Sequence, residues 1–403
     1  ALNCLTQLYD AKILENNNVR IMGTPVETIV STEDRGIFAD KMAEIDQPVA
    51  PSRTASNMEE AILAIKEIGF PVIIRAAYAL GGLGSGFAEN MEEFKPMIEQ
   101  ALINSPQVLV EKSLKGWKEI EYEVVRDTFD NRITVCNMEN FDPLGVHTGD
   151  SIVVAPSQTL TNDEYYMLRQ ASIRIIKHLG VVGECNVQYA LDTYSKQYYV
   201  IEVNARLSRS SALASKATGY PLAYIAAKLS LGIALSDLQN SVTKKTNAFY
   251  EPSLDYLVVK IPRWDLNKFD NVSTQIGSSM KSVGEVMAIG RSFEETINKA
   301  IRMANDSSYG LYPLTSVFLD KKETKEIIVN KLKNPSVERI FYIMKAFMNN
   351  FTVEEIGEYT NIDLWFLKRL YNIYNTALDI KKETIGTIHK DLLLKGKKYG
   401  FSD

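Results

Sequence analysis

The chain has 403 residues, with 45 Lys and Arg against 50 Asp and Glu, 45% hydrophobic residues and 24% charged ones. That length calls for about two or three domains, and the balanced composition excludes disordered and fibrous classes. A net charge of −5 argues against a general nucleic-acid binder, and Cys4, Cys136 and Cys185 are too few for a disulfide framework. No apolar run approaches the roughly 18 residues of a membrane span. The cysteine usage fits a reducing compartment, and a cytoplasmic protein with no nucleic-acid or membrane partner is the expectation.

Leu2, Leu5, Leu8 and Ala11 to Leu14 recur at helical spacing and predict one amphipathic helix, which Asn16-Asn17-Asn18 ends; Val19 to Gly23 reads as a short strand. A helix and a strand cannot bury both their faces. The chain also opens on Ala1-Leu2-Asn3-Cys4 without Met, so residues 1–30 are expected to be the tail of an α/β domain lying upstream. Ser56 with Glu59 predicts a capping box for a helix that stops at Gly69, and Pro71 to Arg75 is a strand leading to a glycine-rich loop from Gly81 to Gly86. Asn90 with Glu93 caps the next helix, and Val108 to Glu111 is a strand. Lys118 to Arg126 and Ile133 to Cys136 form a hairpin around Asp130-Asn131. Thr161 with Glu164 caps a helix ending at Gly180. Cys185 to Leu191 and Gln197 to Asn204 make a second hairpin, and Pro221 to Leu231 is helical. Hairpins mixed with capped helices predict an α+β domain with antiparallel sheets. Beyond about residue 305 the pattern turns all-helical, with a capping box at Thr352 and Glu355 and an apolar stripe of Trp365, Leu367, Leu370 and Ile373.

The loop Gly81-Gly82-Leu83-Gly84-Ser85-Gly86 has the small residues that let backbone N–H groups approach a phosphate, and equally those of a flexible turn. It lacks the Gly-Lys-Ser/Thr ending of a P-loop and the third glycine of a dinucleotide fingerprint. Arg75 just before it could pair a phosphate or sit in a surface ion pair. On the second hairpin, Asn186 and Gln188 share one strand face, and Glu202 and Asn204 share a face of the partner strand. In the right register these hard oxygen ligands suit Mg²⁺ or Mn²⁺ alongside a polyphosphate; the bland reading is a solvated polar edge. Arg206 and Arg209 follow directly. His147 lies in a turn-rich loop and Glu119 at a strand start, each explicable by local bonding or by a ligand, while Arg35 beside Glu33-Asp34 reads as a helical ion pair. Nothing resembles a Ser/His/Asp nucleophile or a paired-carboxylate hydrolase.

Arg75 with the Gly81–Gly86 loop, Glu139-Asn140-Phe141-Asp142, Gly145 to Ser151, Ile201 to Ser211, Ala212 to Gly219 and Met280 to Met287 together resemble the first ATP-grasp domain of carbamoyl-phosphate synthetase. The motifs are long and the resemblance spans essentially the whole chain. Asn204-Ala205-Arg206, where bacterial members usually carry proline in the middle, and Val182 to Asn186 look more like the eukaryotic synthetases.

The resemblance implies an ATP-grasp fold over residues 31–303 followed by part of a helical oligomerisation domain over 304–403. It implies that MgATP phosphorylates bicarbonate to carboxyphosphate, which ammonia converts to carbamate, while a second homologous half would phosphorylate carbamate. Arg35 and Arg75 match arginines on the ATP phosphates, Gly81 and Gly82 a mobile loop over them, and Lys112 and Leu114 backbone contacts to adenine. Glu119 matches a ribose-binding glutamate, and Gly145, Val146 and His147 a loop that reaches the nucleotide. Gln188 and Glu202 match metal ligands that also touch ATP, Asn204 a ligand of the second ion, and Arg206 and Arg209 the arginines at bicarbonate and the transferring phosphoryl group. Glu202, Arg206 and Arg209 are thus the expected catalytic set. Two Mg²⁺ or Mn²⁺ ions and a K⁺ ion are the implied cofactors. A glutaminase domain or subunit, the second ATP-grasp half and an oligomer are the implied partners, in pyrimidine or arginine synthesis. Lys112 stands where bacterial members carry an acid, so only a main-chain contact transfers there. A biotin carboxylase-like ligase and a non-catalytic nucleotide-binding or oligomerisation fragment are the other readings.

Overall fold

A computed structural model of the chain describes residues 2–76, 86–277, 280–304, 310–311 and 323–402. The N-terminal segment forms α1 (Leu2–Asp10), α2 (Ile13–Asn16), α3 (Val26–Glu33) and α4 (Arg35–Ala43). The single helix expected at the start is broken in two, because Lys12 adopts the left-handed conformation at φ 56°. The strand expected at Val19 to Gly23 does not form. Instead the Thr24 hydroxyl donates to the Val182 carbonyl at 3.0 Å and accepts from the Val182 N–H at 3.3 Å, so a side chain rather than a ladder docks this stretch.

The first lobe is an antiparallel sheet of β1 (Ser52–Ala55), β2 (Val72–Ala76), β3 (Gly86–Ala88) and β4 (Val108–Lys112) in the order β1-β4-β2-β3. Helices α5 (Met58–Ile68) and α6 (Met91–Asn104) cover one face, burying Ala61, Ile65, Phe94 and Ile98 against Val72, Ile74, Val108 and Val110. Alternation leaves Ile73 on the other face. The α5 cap is one residue later than the sequence predicts: Asn57 accepts from the Glu60 N–H at 2.9 Å, and Glu60 accepts from the Ser56 N–H at 2.8 Å. Asn caps as well as Ser, and its glutamate partner likewise lies three residues on. Asn90 caps α6 as expected.

The second lobe is a seven-stranded antiparallel sheet in the order β11-β10-β7-β6-β5-β8-β9. Its strands are β5 (Lys118–Arg126), β6 (Arg132–Asn140), β7 (Val153–Ala155), β8 (Gly183–Leu191), β9 (Tyr198–Asn204), β10 (Leu257–Arg263) and β11 (Gly284–Gly290). Helix α7 (Asn162–His178), with the expected Thr161–Glu164 capping box, packs Leu168, Ala171 and Ile175 on Ile120, Tyr122 and Val124 of β5. The odd-numbered β5 residues therefore face the opposite way: Val125 enters a core with α8 (Arg209–Thr218) and α9 (Leu222–Ser230), and Glu119, Glu121 and Glu123 line that same side.

Helix α10 (Phe293–Ala304) closes the sheet's far end. It shares a core with α11 (Lys325–Lys333), α12 (Arg339–Met348), α13 (Val353–Thr360) and α14 (Leu364–Lys381), while α15 (Lys390–Lys398) packs outside. Thr352 and Glu355 form the expected capping box, and Leu367, Leu370 and Ile373 are buried. This core runs continuously into Phe141, Val154 and Val259 of the sheet lobe. Phe366, 1% exposed, stacks edge-on against Phe141 at 5.5 Å between ring centroids. Phe366→Ala should therefore cost about 3–5 kcal/mol of unfolding free energy by urea denaturation. A loss below about 1 kcal/mol would mean that helices and sheet do not share a core.

Candidate functional site

Between the two lobes lies a cleft of ≈ 460 Å³. Ile73, Phe87 and Lys112 line it from the first lobe, and Leu144, Val146, Ile201 and Leu213 add apolar surface from the second. The polar wall is set by strand register. Glu121 pairs with Gln188 across β5 and β8, and Gln188 with Glu202 across β8 and β9. One step along, Glu123 pairs with Asn186 and Asn186 with Asn204. Two polar rungs thus cross three strands on one face, and the register left open by the sequence brings the expected oxygen ligands together.

The rungs grade from dry to wet. Glu121, Glu123 and Asn186 are fully buried, Gln188 and Asn204 half-buried, and Glu202 exposed. Asn186 donates to Glu121 at 2.9 Å and Glu123 at 3.1 Å, and Asn204 donates to Glu202 at 2.9 Å. Arg206 donates to the Asn204 side-chain oxygen at 3.2 Å, and both Arg206 and Arg209 are exposed at the cleft. Burial pushes the Glu121 carboxyl up to about 8 and that of Glu119 up to about 7, with neighbouring carboxylates adding to the rise at Glu121. Lys260, 3% exposed on β10, enters from beneath, where its ammonium donates to the carbonyls of Thr148 and Ser151, each at 2.9 Å. Burial holds that ammonium down to about 8.

The turn after β6 completes the wall. Thr148 donates to Glu119 at 2.6 Å. His147 Nδ1 accepts from the Gly149 N–H at 2.9 Å, so the neutral imidazole carries its proton on Nε2. Asp150 accepts from the backbone N–H groups of Lys281 and Ser282 and from the Trp264 indole, tying the turn to the segment before β11.

A family model described as carbamoyl-phosphate synthase L chain, ATP binding domain, matches residues 34–238, and one for the large-chain oligomerisation domain of the same synthetase matches residues 285–403. The chain belongs to the carbamoyl-phosphate synthase large-chain family. It is 58% identical to multifunctional protein pyr-3 of Neurospora crassa over 405 residues, covering 100% of this chain and 22% of that protein. It is 56% identical over 407 residues to the mitochondrial arginine-specific carbamoyl phosphate synthase large chain of Schizosaccharomyces pombe, covering 100% of this chain and 34% of that protein. The chain thus spans about a third of one relative's length and about a fifth of the other's. Among solved structures, a biotin carboxylase from Campylobacter jejuni in complex with β,γ-ATP shares the fold at a TM-score of 0.58 and 18% identity, covering 84% of this chain and 76% of that one. The architecture is accordingly the ATP-grasp fold.

Of the residues singled out in the sequence of this synthetase-family chain, Lys112, Leu114, Glu119, Gly145, Val146, His147, Gln188, Glu202, Asn204, Arg206 and Arg209 all line the cleft. Arg35 does not; it donates to Glu111 at 2.7 Å, and Glu111 is the one at the cleft wall. That pair bridges α4 to β4 and is not the local helical pair its neighbours suggested. Arg75 lies on β2 with its side chain outside the described residues, as are Gly81 and Gly82 altogether. Sequence reading missed Glu121, Glu123 and Lys260, and also Glu184, a buried residue of β8 that accepts from the Ser211 hydroxyl at 3.1 Å. The acids of β5 had a signal, the alternation Glu119-Ile120-Glu121-Tyr122-Glu123, whereas Lys260 sits in an apolar run and nothing local marks it.

The buried acids set a pH dependence. Carboxyls raised from 4.5 to about 7 and about 8 keep their protons in the native state after the unfolded chain has lost them. Stability should therefore fall as pH rises from about 5 to 8. Glu121→Gln should flatten that fall, measured as urea midpoints across the window, and an unchanged slope would contradict the assignment.

Proposed function

We propose that this chain uses ATP to phosphorylate bicarbonate and passes the carboxyphosphate to ammonia, giving carbamate, as the first half of carbamoyl phosphate synthesis. The observation that carries the reading is the pair of polar rungs ending at Glu202 and Asn204 beside Arg206 and Arg209, in a cleft whose other wall is apolar. The apolar side, with Ile73, Phe87, Leu144 and Ile201, suits a purine, and Glu119 beside it suits ribose hydroxyls. Arg206 and Arg209 would bind bicarbonate and neutralise charge spreading over the transferring phosphoryl group. An oxygen of bicarbonate attacks the γ-phosphorus, the bond to ADP breaks, and no enzyme nucleophile is needed. His147 presents an Nε2–H to the oxygens of the new anhydride.

Gln188, Glu202 and Asn204 offer one carboxylate and two amide oxygens, a hard donor set of low charge that fits Mg²⁺ or Mn²⁺ with phosphate completing the shell. When bound, such ions supply charge neutralisation at the β- and γ-phosphates. The side-chain oxygen of Asn140, buried and without a hydrogen-bond partner among the described residues, fits a K⁺ ion near Glu119.

For the second step, Glu121, Glu123, Glu184 and Asn186 each hold a buried oxygen without a hydrogen-bond partner among the described residues. That wall accepts N–H donors, which ammonia and ammonium supply, and the departing phosphate takes the proton ammonia loses. Ammonia attacks the carbonyl carbon, the carbon–oxygen bond breaks, and phosphate leaves.

The domain limits that accompany this reading are an ATP-grasp unit over 31–303 and a helical oligomerisation segment over 304–403. A glutaminase supplying ammonia, a second homologous half consuming carbamate, and a cytoplasmic setting belong to the same proposal. A biotin-dependent carboxylase of the same fold is the competing reading; the family matches to both segments weigh against it. In the full-length protein, Glu202→Ala should lower bicarbonate-dependent ATP hydrolysis by about a hundredfold or more. Hydrolysis at the unaltered rate would remove Glu202 from the site.

A further inference from the structure

Arg339, the first residue of α12, is 4% exposed and reaches out of the helical segment. One arm of its guanidinium donates to the Thr360 carbonyl at the end of α13, at 2.7 Å, and the other to Asp142 at 3.0 Å. Asp142, itself 5% exposed, follows β6. Its second carboxylate oxygen accepts from the Ser151 hydroxyl at 3.2 Å, and its N–H donates back to that hydroxyl at 3.3 Å. The Ser151 carbonyl shares the Lys260 ammonium with the Thr148 carbonyl, and Thr148 donates to Glu119. A continuous line of polar contacts therefore runs from α12 and α13 through Asp142, Ser151, Lys260 and Thr148 to the carboxylate at the cleft.

We propose that Arg339 is a positioning residue that transmits the placement of the helical segment to Glu119 and the 147–151 turn, and so sets nucleotide affinity from a site outside the cleft. The nucleotide part rests on the function proposed above. Stability alone is a poor account of the pair, because a buried ion pair is often matched by apolar residues of similar volume. Geometry gives it another use. Arg339 fixes α12 and α13 to each other and to the strand end whose turn carries His147 and Thr148. A shift of the helices would thereby move the turn, while Phe366 against Phe141 keeps the apolar contact beside it.

The test compares full-length wild-type protein with Arg339→Lys, Arg339→Met and the double variant Asp142→Asn/Arg339→Met. The double variant removes both charges, so that folding survives where the single methionine leaves an unpaired buried carboxylate. Backbone hydrogen exchange over residues 145–151 is followed during MgADP titration, with thermal unfolding and the steady-state constants for bicarbonate-dependent ATP hydrolysis. The double variant should unfold within a few degrees of wild type. It should exchange faster at Asp150 and Ser151 without nucleotide, and bind MgADP at this turn about tenfold more weakly, within the usual range of coupling between sites. KM for ATP should rise by the same factor with kcat held within about twofold, since uniform binding is what is lost. Arg339→Lys should recover most of the affinity. A folded double variant with wild-type exchange and affinity would overturn the relay. Wild-type protein in which MgADP leaves 145–151 unprotected would instead overturn the nucleotide reading, and with it the consequence drawn for affinity; faster exchange in the variant would then still report the mechanical link.

Discussion

Putting several carboxylates on one buried face of a β-sheet is costly, and the site is organised around meeting that cost. Glu119, Glu121 and Glu123 point the same way because strand side chains alternate, and their neighbours Ile120, Tyr122 and Val124 are committed to α7. Once the apolar half of β5 is buried, the acids have no other side to occupy. Asn186 and Thr148 supply donors, Lys260 adds a positive charge nearby, and the remaining strain appears as carboxyls held closer to neutrality than usual. A protein gains nothing in stability from such a face; under the proposed function it gains a surface that accepts N–H donors next to one suited to phosphates.

The two lobes divide the work. Alternation on β2 and β4 turns Val72, Ile74, Val108 and Val110 toward α5 and α6 and leaves Ile73 and Glu111 to the cleft, where Phe87 beside Ile73 makes an apolar rim suited to a base. Register in the seven-stranded sheet places the wet ends of two polar rungs at the cleft, beside Arg206 and Arg209. The C-terminal helices are not an appendage. Their core includes Phe141 and Val154, and Arg339 pairs with Asp142, which bonds Ser151 in the turn that contacts Glu119, so the segment that the family match describes as an oligomerisation domain is physically continuous with the cleft wall.

Much of this was legible in the sequence because the signals were local. Capping pairs at Asn90, Thr161 and Thr352 mark helices, and the hairpin carrying Gln188 and Glu202 shows as two alternating runs around a turn. What was not legible depended on partners. Val19 to Gly23 has strand-like residues, yet Thr24 docks it through a side chain. Arg35 sits among local acids and pairs with a distant one, Glu111. Lys260 lies within Leu257-Val258-Val259-Lys260-Ile261, where only the fold discloses two carbonyls waiting for its ammonium. The register of β8 against β9 was a condition in the sequence and a fact in the structure, since pairing partners across strands are set by long-range contacts.

Under the proposed function a bicarbonate oxygen becomes bonded to phosphorus in this cleft. Full-length protein incubated with ATP and ¹⁸O-labelled bicarbonate tests it directly, with the released phosphate analysed by mass. Attack by bicarbonate followed by cleavage of the carbon–oxygen bond leaves labelled oxygen in the phosphate, and that is the result expected. Phosphate labelled only from solvent water would mean that ATP is hydrolysed directly, and the carboxyphosphate account would fail.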